Sequence, residues 1–439
     1  MTSDTIFAPA TPRGKSGVAI VRVSGPDACL ALAAVAGVDE SVVPAPGRLV
    51  RRRLARPDGT AIDDALVVRF AAPRSFTGED VVEFQLHGGT MPTALLLDAL
   101  ADLPGLRPAE PGEFTRRAFD RGKLDLTAVE GLADLIDAET KTQADQALRL
   151  LNGELGRLYA GWRDQLLSIM ARIEAEIDFA ADQDLDETLA AEAMSSAKDL
   201  MAAIDRHLAD RRGERLRSGF RIALIGAVNA GKSTLLNLLA RREVAIVTPV
   251  PGTTRDPIEA HLDLGGLPVT LIDTAGLRDT ADLVEREGIR RARETATQAD
   301  FRLLLVDPTV PGPPTLPDAD LTVRTKADLL SEREDVEPDA LSISAHTGAG
   351  IDVLLERLER AAAEALTGGS EPAFTRTRHR IALESARKHL AHFVEGGHHD
   401  IACAGEDLRL AGRDLARLIG AVEVDDVLDQ LFASFCIGK

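Results

Sequence analysis

A chain of 439 residues, 45% of them hydrophobic, is long enough for roughly two to four domains, each with a core of its own. Its formal charge of −19 argues against a protein that wraps nucleic acid unaided, because phosphate binding at physiological salt needs a local excess of Lys and Arg. The cysteines are Cys29, Cys403 and Cys436, too few and too scattered for a disulfide framework. With no long apolar run and no secretory pattern at the start, they point to a cytoplasmic protein away from membranes.

In chain order, residues 1–118 read as an α+β unit. "GVAIVRV", "DALVVRF" and "DVVEFQLHGG" alternate as strands, Asp58-Gly59 marks a turn, and a helix is expected over Thr93–Leu103, stopped by Pro104-Gly105. From 119 to 217 the period becomes helical, with Val129, Leu132 and Ile136, then Leu148, Leu151, Leu155 and Leu158 recurring at three or four residues. Within this stretch "EAEIDFAADQDLDE" reads as a solvated loop and helix end. Apolar strands alternate with loops and helices over 218–367, a doubly wound α/β domain, and helical spacing returns over 368–439. The economical architecture is multidomain α+β, with a discontinuous all-α domain interrupted by an inserted P-loop α/β domain.

"RIALIGAVNAGKST" carries G-x-x-x-x-G-K-[ST] between a strand and a helix, with Gly226, Gly231, Lys232 and Ser233 at the fixed places. Backbone N–H groups and the helix N-terminus face phosphates there, Lys232 adds a point charge, and the Ser233 hydroxyl suits Mg2+. "VPGTTRD" offers Thr254 as a second Mg2+ hydroxyl, and "LIDTAG" offers Asp273, Thr274, Ala275 and Gly276 at a strand end. "TKAD" places Thr325, Lys326 and Asp328 where a carboxylate accepts from the N1–H and 2-amino group of guanine, donors that adenine does not pair. "SAHTG" adds Ser344 and Ala345. The substrate is therefore GTP, with Asn229, Ala230 and Thr234 of the loop beside it. Thr325 stands where Asn is usual, so weaker guanine binding is expected. Leu277 replaces the polar side chain that many such GTPases use to orient water, so another group has to do that work. The acids just downstream are Asp279, Asp282, Glu285 and Glu287.

With Asn229 in the phosphate loop, "VTPVPGTTRD", Leu277, "SFTGEDVVEFQLHGG", "RPAEPGEFTRRAFDRGKLDL" and the final "FCIGK", the chain resembles the MnmE (TrmE) family of tRNA-modifying GTPases over essentially all its length. The resemblance implies a K+-activated GTPase in which Asn229, Thr248, Val250 and Thr253 hold the ion, Glu285 orients the water indirectly, and two GTPase domains meet for catalysis. It implies a homodimer whose N-terminal unit binds a tetrahydrofolate, 5-formyl or 5,10-methylene, through Arg22, Glu83, Lys123 and Lys439. Cys436 is expected near the one-carbon unit, either as nucleophile or as packing. It further implies an MnmG-like flavoprotein partner carrying FAD and NADH and much of the tRNA contact, and a product bearing an aminomethyl or carboxymethylaminomethyl group at C5 of the wobble uridine.

A ribosome-assembly GTPase switch shares the phosphate and base motifs. It leaves the N-terminal segments and the terminal Cys-Ile-Gly-Lys without a use.

Overall fold

Alternation builds the first sheet. In Val18–Ser24 (β2) the residues Ala19, Val21 and Val23 are buried, and in Val81–His87 (β5) Val82, Phe84 and Leu86 are buried. Arg22 and Glu83 belong to the opposite face. Around these strands pair Thr5–Pro9 (β1), Val50–Ala55 (β3), Ala61–Phe70 (β4) and Leu106–Pro108 (β6), in the order β3-β4-β5-β2-β1-β6. All neighbours are antiparallel except β1 and β6. The apolar face is covered by Ala28–Ala36 (α1) and Thr90–Ala101 (α2), whose Leu32, Val35, Leu96 and Leu100 complete one core. Helix α2 begins three residues before the expected Thr93. Pro92 is tolerated in the first turn because N–H groups there have no partner within the helix.

The computed structural model describes residues 4–179, 188–227, 229–242, 244–246, 259–273, 297–310, 319–329, 341–369, 371–396, 401–422, 425–433, 435 and 437–439. Met1–Ala133, Leu151–Ala160 and Leu415–Lys439 form one compact unit, and Asp134–Leu150 with Gly161–Asp414 the other. The first holds the sheet above, Glu113–Asp120 (α3) and most of Leu126–Ile136 (α4). The helices that follow are Lys141–Leu151 (α5), Glu154–Phe179 (α6), Thr188–Ala209 (α7) and Arg212–Ser218 (α8).

The second sheet consists of Phe220–Gly226 (β7), Glu259–Leu264 (β8), Leu267–Asp273 (β9), Phe301–Val306 (β10), Leu321–Arg324 (β11) and Leu341–Ser342 (β12). Its order is β12-β11-β10-β7-β9-β8, parallel except for the β8 edge. Lys232–Leu239 (α9) and Ile351–Leu366 (α10) pack on it. Near-continuous apolar runs such as β9, buried at every position, mark strands covered on both faces. The chain continues through Thr377–Gly396 (α11), Ile401–Ile419 (α12) and Asp425–Ala433 (α13). Among the described residues no helix is long and apolar enough to cross a membrane.

Helix α7 packs along α11, and near this contact His207 is buried against Trp162 and Phe374, with ring centroids 5.3 Å from each. Burial pushes the His207 pKa down to about 4, against the opposing pull of Asp210. The folded chain therefore holds a neutral imidazole where the unfolded chain takes up a proton below its ordinary value. The stability from this site is whole at neutral pH and falls as pH drops from about 6.5 towards 4, by up to about 3 kcal/mol. His207→Gln removes that slope: between pH 7 and pH 4 the urea midpoint of the wild type falls further than that of the variant.

Candidate functional site

Strand β7 ends at Gly226 and α9 starts at Lys232, so the loop between them lies at the C-terminal edge of the parallel sheet. Gly226 has φ 153° and approaches β10 so closely that a Cβ there would lie 2.4 Å from the Leu305 carbonyl oxygen. Only glycine suits that position. Asn229 adopts φ 65°, a left-handed conformation that Asn accepts more readily than most residues. The Lys232 side chain is buried, and its Nζ donates to the carbonyl oxygens of Gly226 and Ala227, each at 2.8 Å. Burial lowers the Lys232 pKa below the ordinary value, with the charge of Asp273 opposing.

The next residue, Ser233, donates from Oγ to Oδ2 of Asp273 at 2.6 Å. Asp273 is the buried last residue of β9. A hydroxyl and a carboxylate brought together at a strand end make an oxygen-only donor set suited to a hard cation such as Mg2+. An ammonium beside the N-terminus of α9 suits phosphate oxygens.

Along the same edge, Thr325 follows β11 and is buried; its Oγ1 donates to the Ala230 carbonyl at 2.9 Å, with the Val306 carbonyl at 3.3 Å. The residue that departs from the usual Asn thus ties the phosphate loop to the base-reading segment. Thr325→Val keeps the shape and removes the donor. Leaving a buried carbonyl unmet costs about 1 kcal/mol, so GDP affinity falls about fivefold, as read by titration with a fluorescent GDP analogue. Lys326, with φ 56°, pairs with Asp307, and the bond from Lys326 holds the Asp307 carboxyl below its usual range. Asp328 accepts from the Ser344 hydroxyl at 2.5 Å, which lowers its pKa in turn. Ser344 is buried and Ala345 follows it in the turn.

A second cluster lies on the first sheet. Arg22 and Glu83 are register partners on β2 and β5, and Arg22 meets Glu83 Oε1 with Nε at 2.9 Å and a terminal nitrogen at 2.8 Å. The guanidinium carbon lies 5.5 Å from the ring centre of Phe76 and 5.7 Å from that of Phe114. The last residues of the chain reach the same place. Ile437 bridges Pro111, and the Gly438 carbonyl accepts from Arg22 at 3.4 Å. Gly438 has φ 103°, and a Cβ there would lie 2.1 Å from the Pro9 carbonyl oxygen, so the seat of the tail requires glycine. Phe114 is fully buried and backs the guanidinium, so the patch offers a cation, a carboxylate and the part-exposed ring of Phe76, which suit a flat heteroaromatic ligand that carries both donors and carboxylates.

The family described as the MnmE helical domain matches residues 126–436, and the one described as the N-terminus of the GTP-binding protein TrmE matches residues 5–123. A tRNA modification GTPase MnmE from Methylobacterium sp. strain 4-46 is 51% identical over 100% of both chains. The chain belongs to the MnmE family of tRNA modification GTPases. MnmE proteins from Rhodospirillum rubrum and Paramagnetospirillum magneticum are 50% and 48% identical, again over 100% of each chain.

In this member of the MnmE family the fold brings Lys232, Ser233, Asp273 and Thr325 to one sheet edge, and Arg22, Glu83 and Gly438 to one patch. Lys123 donates from Nζ to the Pro73 carbonyl at 3.0 Å, and Lys439 is half-buried next to Gly438. Thr248, Val250, Thr253, Thr254, Thr274, Ala275, Gly276, Leu277, Glu285 and Cys436 lie outside the described residues. Sequence reasoning missed Phe76 and Phe114 as neighbours of Arg22. The available signal was Phe76 itself, a large aromatic inside the polar run "RSFTGED" and more than a third exposed.

Proposed function

We propose that this chain is a K+-activated GTPase that acts with an MnmG-like flavoprotein partner on tRNA. Together they place an aminomethyl or carboxymethylaminomethyl group at C5 of the wobble uridine, with the carbon drawn from 5-formyl- or 5,10-methylene-tetrahydrofolate. What carries the reading is the coexistence, in one chain of this family, of the Lys232, Ser233 and Asp273 constellation with the Arg22–Glu83 patch on which the C-terminal residues fold back.

In this reading Lys232 holds the β- and γ-phosphates, and Ser233 and Thr254 hold Mg2+. Asp328, Thr325, Lys326, Ser344 and Ala345 hold the base, and Glu285 orients the attacking water. Asn229, Thr248, Val250 and Thr253 hold K+. The two cations supply positive charge to the phosphates as negative charge develops on them. Residues 1–118 bind the folate and dimerise the protein, with Arg22, Lys123 and Lys439 meeting carboxylates and Glu83 meeting the pterin edge. Cys436 stands beside the one-carbon unit. The partner brings FAD and NADH and holds much of the tRNA, consistent with the acidic charge of this chain. Hydrolysis opens and closes a pair of GTPase domains and so gates the modification.

Nucleoside analysis of tRNA from cells with and without the gene tests the reading. Loss of the 5-aminomethyl family of wobble uridines supports it, and unchanged uridines beside defective ribosomal subunits point to the assembly switch. Exchange of K+ for Na+ is expected to slow GTP turnover at least about tenfold, because the ion held by Asn229, Thr248, Val250 and Thr253 would supply the positive charge that an arginine finger supplies elsewhere. Equal steady-state rates in the two salts refute the cation's role.

A further inference from the structure

One turn of α5 bonds three carbonyls from three separate segments of the chain, one of them a turn of the GTPase sheet and the other two just before and just after the GTPase domain. Thr142 donates from both its backbone N–H and its Oγ1 to the carbonyl of Gly266, in the β8–β9 turn. Gln143 donates from Nε2 to the Leu216 carbonyl at 3.1 Å, on the helix that leads into β7. Gln146 donates from Nε2 to the Ala373 carbonyl at 2.6 Å, in the segment between α10 and α11. Gln143 is itself fixed, since its Oε1 accepts from the N–H groups of Glu139 and Thr140 at 3.0 and 3.1 Å, as in a capping box.

Asp134, at the end of α4, gathers two of the same segments. It accepts from Arg217 at 3.2 Å, from Arg376 at 2.8 Å and from the Thr375 hydroxyl at 2.9 Å. Beside these bonds lies a cavity of about 300 Å³ lined by Asp134, Gln143, Gln146, Leu216, Arg217 and Thr375.

The corner stands at the opposite end of the strands from the nucleotide site. Strand β9 begins at Leu267, next to Gly266, and ends at Asp273, the partner of Ser233. Strand β7 follows Leu216 and ends at the phosphate loop. A buried strand paired on both sides moves as a rod, so a displacement of Asp273 or Gly226 appears at its other end. The cavity gives the first turn of α5 room to follow, where a filled interior would resist.

We infer that Thr142, Gln143 and Gln146 are positioning residues that carry the nucleotide state of the sheet into α5, with Asp134 holding the flanking segments as the fixed side of the joint. The inference rests on the GTPase reading and deepens it by naming where the state leaves the sheet.

Amide hydrogen exchange on the full chain tests it, with GDP and then with a non-hydrolysable GTP analogue, in Mg2+ and K+. The amides of residues 142–146 exchange at rates that differ at least about fivefold between the two states. In the double variant Thr142→Val, Gln146→Leu the difference falls below about twofold. Its GTP turnover stays close to wild type, while its melting temperature drops by a few degrees for the unmet Ala373 carbonyl; Thr142→Ser, which keeps the hydroxyl, retains the full difference. If the double variant does not fold, Thr142→Val against Thr142→Ser gives the same comparison. Equal exchange in the two states of the wild type overturns the inference, as does a difference that survives in the valine variants. The readout uses neither tRNA nor folate. Its failure leaves the proposed modification chemistry standing, and unchanged wobble uridines would leave the exchange result standing.

Discussion

Lys232→Met lowers GTP turnover by roughly 10²- to 10³-fold, the loss seen when one preorganised electrostatic group is removed from a developing charge. Methionine keeps most of the apolar stem and so the packing beneath the loop, which isolates the ammonium. That ammonium is held in place by two loop carbonyls at 2.8 Å, so it meets phosphate without first being ordered. Burial lowers its pKa below the ordinary value, and the charge of Asp273 opposes that effect. Lys232→Arg does not rescue, since a planar fork cannot replace a point charge in a pocket closed by Gly226 and Ala227. Phosphate release measured at saturating GTP gives the number, and a rate within tenfold of wild type refutes the assignment.

Arg117→Leu destabilises the first unit by about 3–5 kcal/mol, because it strips one partner from buried carboxylates. Arg117 and Glu79 are 5% and 6% exposed in their side chains, and Arg117 meets Glu79 at 3.1 Å and Asp4 and Glu113 at 3.0 Å. Glu79 also receives Arg121 at 2.5 Å and Ser24 at 2.7 Å. A contrast lies on the preceding residue of the same helix. Arg116 pairs with Asp429 at 3.1 Å with both side chains well exposed, so Arg116→Leu costs at most about 1 kcal/mol. Thermal melts of the two variants read the difference, and equal melting temperatures refute the account. The same network sets an acid limit. Burial raises the Glu113 and Asp4 pKa values, but the bonds from Arg107 and Arg117 prevail and leave both below their ordinary range. Their contribution is therefore whole above the ordinary carboxylate pKa and is lost as pH falls through the lowered values.

Much of the fold was legible because its elements obey a period. The strands over "GVAIVRV", "DALVVRF" and "DVVEFQLHGG" and the helices after residue 124 show buried residues at spacings of two and of three to four. Strands β1, β3 and β6 were not legible. Three successive arginines hide the alternation of β3, and β6 is a three-residue strand that exists only by pairing with β1, a hundred residues away. Thr325 showed as a departure in the sequence, but its bond to Ala230, 95 residues distant, did not.

The sequence by itself determined the phosphate loop, because its glycines, Lys232 and Ser233 lie within eight residues and local backbone geometry alone aims them. It determined the family for the same reason, since its marks are short contiguous segments. Only the tertiary structure decided which side chains meet across the chain. Arg22 meets Glu83 through sheet register, and it meets Gly438 across 416 residues because the tail pairs at Pro111. The α5 corner draws its three carbonyls from segments up to 227 residues away. Such meetings depend on how strands and helices pack, and one-dimensional periodicity sets which face a residue occupies but not what lies opposite it.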